Sequence, residues 1–301
     1  MSTTGTTQPR IFEAQNTVDA RRLVAAQARI YSDTKIFSGT RLCVVIALSI
    51  AAGVVAVRYP GLRAVVGVGG GIALLAVSFV TGSVEKRLRT MAAAVQEEFD
   101  TRVFGLGWNG LLVDRPPANR IAKAASRYRG DRDADWYDDT LGTHRPYDVL
   151  ICQATNLGWG ATMHRYWAWI LSALGLLAAG VAIGCGLLAG LGWGGLITAV
   201  IAPALSPVKE IAEQIRANFE NARSKESTER KVTDLWANGM RGTATPSEAD
   251  LRALQDKILQ FRLTNAFVPD WLDRVFHRRN EAAIRISVQS RVEEARRNGH
   301  G

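Results

Sequence analysis

The side chains best suited to recognising a ligand are polar and aromatic residues in the segments that separate the long apolar runs. Arginine can bind phosphate, the amides of asparagine and glutamine can pair with base edges, and aromatic rings can stack on bases. These residue types together predict one nucleotide-binding site, although hydrogen bonds between helices would use the same side chains. The candidates are Trp108, Asn109, Asp135, Trp136, Tyr137, Gln153, Asn156, Arg165, Gln255, Arg262, Asn265 and Arg278.

The sequence offers no comparable pattern for catalysis or for a metal. Asp131, Asp133 and Asp135 have the spacing of a calcium-binding loop. However, Trp136 stands where such a loop needs a turn glycine, and Gly142 stands where it needs a bidentate glutamate. The histidines are not spaced as metal ligands with the cysteines. We therefore expect no enzymatic activity, no metal and no cofactor.

The candidate residues lie in segments that flank two long apolar stretches, so these stretches must position them. The second stretch is the longer. Tyr166–Val208 runs for 43 residues without a charged side chain, and about 20 apolar residues suffice for one helical crossing of a bilayer. The glycine-rich segment Ala189–Gly195 supplies a turn between two crossings. We predict a transmembrane hairpin here, the alternative being a buried helical hairpin of a soluble protein.

An earlier stretch repeats this arrangement. Leu42–Val57 and Ala64–Val84 are uncharged and apolar, and the Pro-Gly pair within Arg58–Arg63 predicts a turn. The predicted fold is therefore an all-α membrane protein with four transmembrane helices, arranged as two hairpins, and with extended helical cytoplasmic stalks. Its segments are an N-terminal cytoplasmic amphipathic helix at 1–41, a first hairpin at 42–84, a central cytoplasmic helical segment at 85–165, a second hairpin at 166–208 and a C-terminal cytoplasmic helical segment at 209–301.

The distribution of basic residues predicts the orientation of these segments. Arg58 and Arg63 are the only basic residues between positions 42 and 84, and positions 166–208 contain none. By the positive-inside rule, both termini and the central segment should face the cytoplasm. The three cysteines do not suggest a disulfide framework, which suits a reducing compartment, and the N-terminus has no signal-peptide pattern.

The charge balance predicts the kind of surface that the chain meets. The net charge of +9 fits a protein that sits against an anionic lipid leaflet. A nucleic-acid polymer would require a denser basic stripe, and we expect no such partner. The apolar runs also lack the charged residues that a transporter or proton pump usually keeps for coupling.

Small residues four positions apart let transmembrane helices approach closely. The apolar runs contain such pairs, which predict tight packing within the chain or between copies in a homo-oligomer. The pairs are Gly67/Gly71, Gly180/Gly184, Gly186/Gly190 and Gly190/Gly194. The hydroxyl groups in the same runs either bond to the backbone of a packed bundle or would meet water after a rearrangement; they belong to Ser78, Thr81, Thr198 and Ser206.

Several short motifs occur in a distinctive order along nearly the whole chain. They are Ile11-Phe12-Glu13-Ala14-Gln15-Asn16, Phe104-Gly105-Leu106 with Trp108-Asn109, Asp135-Trp136-Tyr137, Ile151-Cys152-Gln153 with Asn156-Leu157, Arg165-Tyr166, Leu254-Gln255-Asp256, Arg262, Val268-Pro269-Asp270-Trp271 and Arg278-Arg279-Asn280-Glu281. In this order, and on a two-plus-two membrane layout, they resemble the SMODS-associating four-transmembrane pore-forming effector family. The stretch Asn156-Leu157-Gly158-Trp159-Gly160 departs from the more polar or acidic continuation that is usual there.

The resemblance implies a role in bacterial antiphage defence that ends in abortive infection. In such systems a nucleotidyltransferase makes a cyclic oligonucleotide on infection, and the effector then breaches the inner membrane. We therefore expect a multi-pass inner-membrane protein that contacts the lipid bilayer, responds to a cyclic oligonucleotide and forms a homo-oligomer.

A mechanism follows as a hypothesis. A ligand or partner binds the cytoplasmic helices, and their rearrangement shifts the bundle between two states only a few kcal/mol apart. The alternatives are a non-pore membrane scaffold or receptor that recruits a cytoplasmic partner, and a small transporter.

Overall fold

The computed structural model describes residues 9–266 and 268–301, and within these ranges the chain forms helices, turns and loops without a β-strand. The predicted all-α class is thereby confirmed. A 3-10 turn at Pro60–Leu62 and a π-helical segment at Ile197–Ile201 accompany the α-helices. The α-helices are α1 (Ile11–Gln15), α2 (Val18–Arg58), α3 (Arg63–Phe104), α4 (Ala118–Ser126), α5 (Tyr147–Leu188), α6 (Trp193–Leu196), α7 (Ala202–Met240), α8 (Glu248–Thr264) and α9 (Asp270–Arg297).

The first hairpin consists of α2 and α3. Thr17 caps α2, because its side chain accepts a hydrogen bond from the backbone N–H of Ala20. The turn at Pro60–Leu62 lies where the sequence predicts it, since proline and glycine interrupt a helix. The two helices have 41 and 42 residues, so each is about 60 Å long.

The second hairpin consists of α5 and the returning chain of α6 and α7. α5 ends at Leu188, and Gly190 takes a left-handed φ of 70° that reverses the chain. The returning helix is π-helical at Ile197–Ile201 before α7 continues. Pro203 follows within two residues and has no N–H to donate to the preceding turn, which favours this wider helical turn.

The four long helices cross the predicted segment boundaries without interruption. α2 passes residue 41, α3 passes residue 84, α5 passes residue 165 and α7 passes residue 208. We call the half that contains both hairpin turns the apolar half. We call the other half, which contains α1, α4, α8 and α9, the polar bundle. Each long helix is therefore a continuous rod that joins the two halves.

The apolar half is poorly covered by the chain itself. Among the described residues, two helices are long and apolar enough to cross a membrane by length and composition, at Val18–Val55 and Tyr147–Leu188. Their most apolar windows are only 17% and 11% buried. Phe79, Leu188 and Trp193 are at least 80% exposed. A core helix of a soluble protein would be mostly buried, and these two windows are not.

The main hydrophobic core lies in the polar bundle. Phe99 and Phe104 of α3 pack against Tyr137, with ring centroids 6.2 Å and 5.3 Å apart. Tyr147 at the start of α5 meets Trp236 of α7 edge-on at 5.8 Å. These aromatic contacts fix the long loop after α4 and the ends of the hairpins against one another.

Candidate functional site

Two buried carboxylates of α3 form the centre of the polar bundle. Glu97 and Asp100 lie one helical turn apart and are 1% and 0% exposed. Arg262 of α8 faces both, with Nη2 at 2.6 Å from Asp100 Oδ2 and Nη1 at 3.7 Å from Glu97 Oε2. Burial raises the pKa of Glu97. Burial opposes the charge of Arg262, but its pKa is nevertheless raised because Asp100 and other electronegative groups surround it.

Two glutamines extend this centre to α5 and α8. Gln255 Nε2 donates to Glu97 Oε2 at 2.8 Å and to Asp100 Oδ2 at 3.0 Å. Gln153 Nε2 donates to the carbonyl of Leu251 at 2.9 Å and to Gln255 Oε1 at 3.3 Å. Both glutamines are fully buried. The amides therefore connect α3, α5 and α8 in one hydrogen-bonded chain.

Tyr137 joins the long loop to the same centre. Its hydroxyl donates to Asp100 Oδ1 at 2.7 Å and accepts from Asn156 Nδ2 at 2.6 Å. Its backbone exchanges two hydrogen bonds with the side chain of Gln15, at 2.9 Å and 2.8 Å. Burial, followed by the charge of Asp100, holds the pKa of Tyr137 well above its usual value. The hydroxyl is therefore a fixed neutral donor.

A more accessible arm of the network leads towards the loop after α3. Arg252 contacts Glu97 at 2.6 Å and Asp256 at 2.7 Å. Asn109 donates to the other oxygen of Asp256 at 3.0 Å. Trp108, the preceding residue, donates its indole N–H to a backbone carbonyl of the same loop. Asn109 is thus linked to the centre through Arg252.

The other predicted ligand residues lie away from the centre. Asp135 exchanges hydrogen bonds with Asn16 at the surface, and Trp136 is 38% exposed. Arg165 forms an ion pair with a glutamate of α7. Arg278 belongs to α9, and its side chain lies outside the described part of the structure.

The structure thus brings together side chains from α3, α5, α8 and the long loop. The predicted residues among them are Tyr137, Gln153, Asn156, Gln255 and Arg262. The donors of Tyr137, Gln255 and Arg262 face carboxylates that an anionic ligand would have to displace or share. That they bind a nucleotide stays a prediction, because each of them is engaged within the chain.

Sequence reasoning missed the carboxylates at the centre. Glu97 and Asp100 follow Ala92–Ala94, and every residue from 92 to 101 is buried. Small alanines let neighbouring helices approach closely, so this stretch of α3 is covered on all sides. The signal for buried carboxylates in the sequence is three alanines followed by acidic residues. A solvent-exposed, charged helix face can show the same pattern, so the signal does not distinguish the two.

A second ionic cluster, the collar, lies where the long helices pass from the polar bundle into the apolar half. Arg41 of α2 contacts Glu210 of α7 at 2.5 Å and Glu85 of α3 at 3.8 Å. Arg89 contacts Glu85 at 2.8 Å and donates to the carbonyl of Asn265 at 2.8 Å. The collar ties three of the four long helices together at one level.

The glycines that predict helix packing are mostly uncovered within this chain. No other group of the described residues comes within 4 Å of a Cβ placed at Gly71, Gly180, Gly184 or Gly194. Gly186 is packed, since a Cβ there would lie 2.5 Å from Leu196. Gly190 forms the turn, and Gly67 lies in α3 at a position outside the described side chains. Close packing on the open faces would therefore need another copy.

A groove of about 250 Å³ lies between α5, α7 and α9. Its polar lining includes Thr155, Glu229 and Arg291, and none of the predicted ligand residues contributes to it. Among the described residues, no three histidine, cysteine, aspartate or glutamate side chains are grouped so that they could hold a metal ion.

The chain is thus an all-helical protein in which two long hairpins join a polar helical bundle. The chain belongs to the family of SMODS-associating 4TM effector domains, since a sequence model of that family matches residues 9–291. The family indicated by the ordered motifs is thereby confirmed, and it supports an effector of antiphage signalling.

One curated relative agrees with this assignment. A protein of Bacillus cereus (strain VD146), described as a probable CBASS effector molecule, is 22% identical over 291 residues. The match covers 93% of this chain and 97% of that protein. No solved structure matches the chain.

Proposed function

We propose that this chain is an infection-triggered membrane effector that binds a cyclic oligonucleotide in the polar bundle and then permeabilises the bacterial inner membrane. It spans the membrane four times, keeps both termini in the cytoplasm and acts without catalysis. The observation that carries the proposal is the continuity of the long helices: α3 and α5 run from the buried polar centre into the apolar half, and α2 and α7 run there from the polar bundle. A change at the centre therefore reaches the membrane through rigid helices.

The polar centre supplies the chemistry that a cyclic oligonucleotide requires. Arg262 offers charge to a phosphate, and the amides of Gln153 and Gln255 offer donors and acceptors to base edges. In the structure, Glu97 and Asp100 hold Arg262 and Gln255, and Gln153 donates to Gln255. A phosphate that competes for Arg262 would weaken the contact between α8 and α3.

The uncovered surface of the apolar half supports a homo-oligomer within the bilayer. Exposed Phe79 and Leu188 suit lipid contact, and the open faces at Gly71 and Gly184 suit close contact with a second copy. Rearrangement of several such copies would open a path for water between helices.

The proposal is tested in cells that express the chain together with its cognate nucleotidyltransferase. We expect influx of a membrane-impermeant dye and loss of membrane potential, and we expect neither with a catalytically inactive nucleotidyltransferase. Dying cells that keep their membrane potential would contradict the proposal.

A non-pore receptor is the second candidate, and the internal pairing of the polar centre favours it. A bundle whose polar groups are already bonded can transmit a binding event to a soluble partner without opening the membrane. Purified protein that releases no dye from liposomes when nucleotide is added, yet retains a specific cytoplasmic partner, would favour the receptor. Release from liposomes by protein and nucleotide alone would favour the effector.

A further inference from the structure

Lys225 of α7 is a buried cation whose charge no described carboxylate compensates. It is 6% exposed and faces α5, where a Cβ at Gly160 would lie 2.6 Å from its Nζ. Because Gly160 has no side chain, the ammonium group of Lys225 fits in the space beside it. Within the described part of the chain, Lys225 forms no ion pair and donates no hydrogen bond. Burying a charge in this way is costly unless a partner arrives.

The groups that face Lys225 are basic or neutral. Arg262 of α8 acts on it electrostatically, and Lys225 in turn acts on His164 of α5. The ring nitrogens of His164 lie 2.7 Å from Asn218 Oδ1 and 3.1 Å from Asn265 Oδ1. Burial, followed by the charge of Arg262, lowers the pKa of Lys225 to about 7. An anion at this place would restore the full charge of the lysine.

Other buried donors near Arg262 are poorly satisfied within the described residues. The terminal nitrogens of Arg262 lie against the carboxylates of Asp100 and Glu97, with Nη2 at 2.6 Å from Asp100 Oδ2, but these ion pairs are not directed along an N–H and so lack hydrogen-bond geometry. The hydroxyl of Tyr31 on α2 is buried and has no hydrogen-bond partner among the described residues, and the charges of Arg262 and Asp100 act on it. Buried polar atoms are normally paired. The unpartnered ammonium group of Lys225, the unbonded hydroxyl of Tyr31 and the poorly directed contacts of Arg262 therefore indicate an acceptor that the described residues do not supply.

We propose that Lys225 and Arg262 form an oxyanion site in the polar bundle, and that this site takes a phosphate group of the soluble ligand. This inference rests on the proposed function and names its phosphate subsite. The anion lies between α7 and α8, accepts hydrogen bonds from both cations and draws Arg262 away from Asp100. Lys225 takes up a proton as the anion binds.

The position of Lys225 favours a soluble phosphate over a lipid headgroup. It follows Val208, the end of the apolar run, by 17 residues of continuous helix, which is about 25 Å along α7. A phosphate of the bilayer surface does not reach that depth while the bundle is folded.

The site is tested with sulfate, a divalent oxyanion whose charge is constant between pH 6 and pH 9, on the full chain purified in detergent. At pH 6.5 we expect sulfate to raise the Tm by about 2 °C or more over chloride of equal ionic strength. We expect a smaller shift at pH 8.5, where Lys225 is neutral, and none in Lys225→Met. The matched control Lys231→Met removes an exposed lysine of the same helix and should keep the shift.

Two results would overturn the site: an equal sulfate shift in wild type and Lys225→Met, or no sulfate-specific shift in wild type. Each variant is compared with its own sulfate-free Tm, and Lys225→Gln replaces Lys225→Met if the latter does not fold. Nanodiscs of phosphatidylcholine and of phosphatidylglycerol separate the sources. A shift that disappears only in phosphatidylglycerol would assign the site to lipid and overturn the soluble ligand.

The outcome for this site is independent of the outcome for the proposed function. A Lys225-dependent sulfate shift in a protein that never permeabilises membranes would refute the effector proposal and keep the site. Permeabilisation by a protein without that shift would refute the site and keep the effector proposal.

Discussion

Arg262 is a residue on which the stability of the polar centre depends, because it compensates the buried charge of Asp100 and faces Glu97. We expect Arg262→Gln to lower the free energy of unfolding by about 3–5 kcal/mol, since it leaves a buried carboxylate without its cation. The comparison is Arg22→Gln, which removes a surface pair with Asp19 and should cost less than about 1 kcal/mol. Chemical unfolding in detergent measures both.

The double variant Arg262→Gln/Asp100→Asn decides whether the loss arises from the unpaired charge. Removing both charges should recover part of the stability. If the double variant is as unstable as the sum of the single variants, the ion pair does not explain the loss.

Lys225 predicts a specific dependence of stability on pH. Its pKa is about 7 in the folded chain and 10.5 ordinarily, so the unfolded chain binds the proton more tightly. The penalty is complete below pH 7, and it diminishes as the pH rises from about 7 to 10.5. We therefore expect Lys225→Met to be more stable than wild type, by an amount that is largest at pH 6 and falls towards pH 10.

Each unit of difference between the two pKa values corresponds to about 1.4 kcal/mol, so the gain at pH 6 should be on the order of several kcal/mol. Thermal unfolding between pH 6 and pH 10 measures it, with Lys231→Met as the control. A constant difference between wild type and Lys225→Met across this range would contradict the prediction.

The sequence shows directly which side chains have the chemistry for a site, but it does not show which face of each helix is covered by its neighbours. The chemistry of Gln153, Gln255 and Arg262 makes them candidates in the sequence, and the structure brings them together. The sequence does not single out Lys225 as a candidate. Basic and acidic residues are mixed along α7, and nothing in that pattern shows which face of the helix α5 covers. The side chain of Asp135 has the same chemistry as that of Asp100, yet it lies at the surface.

At the scale of the elements, the collar holds α2, α3 and α7 at one level. We expect Arg41→Gln to lower stability by about 1–3 kcal/mol, because Glu85 and Glu210 would then face each other without the guanidinium between them. We also expect more release of trapped dye from liposomes without any ligand.

Arg58→Gln is the matched control for the collar, because Arg58 ends the same helix and is exposed. Liposomes that contain Arg58→Gln should release as much trapped dye as liposomes that contain the wild type. Equal leakage from Arg41→Gln and Arg58→Gln would show that the collar does not keep the bundle closed.

The end of α3 and the start of α8 follow from local chemistry that the sequence displays. Gly105 ends α3 in a left-handed conformation, and Ser247 with Asp250 forms a capping box at the start of α8. The π-helical segment at Ile197–Ile201 was not predicted, since an apolar run shows no sign of how its hydrogen bonds are arranged. The collar was missed because Arg41, Glu85 and Glu210 are far apart in sequence.

At the scale of the whole molecule, the open glycine faces predict an assembly of several copies. We expect Gly184→Leu to reduce the oligomer size in detergent, because a leucine would keep apart two helices that meet at this glycine. Size-exclusion chromatography with light scattering measures the mass. Val181→Leu, at an exposed position of the same helix, adds volume without filling a glycine and should leave the oligomer intact.

Unchanged mass and unchanged membrane permeabilisation in Gly184→Leu would show that this face is not part of the interface between copies.

The two apolar stretches of the sequence are sufficient to predict two hairpins at this scale. They do not specify how α8 and α9 lie on the bundle, because that depends on long-range contacts such as Lys35 with Asp270.

We expect the long helices to act as levers that turn about the collar when a ligand binds the polar bundle. A tilt of about 5° over a 30 Å arm, half the length of such a helix, moves its end by roughly 3 Å. That distance is about the width of one water molecule. An adjustment of that size at the end in the polar bundle would therefore be enough to admit water between helices at the end in the apolar half, without any helix unfolding.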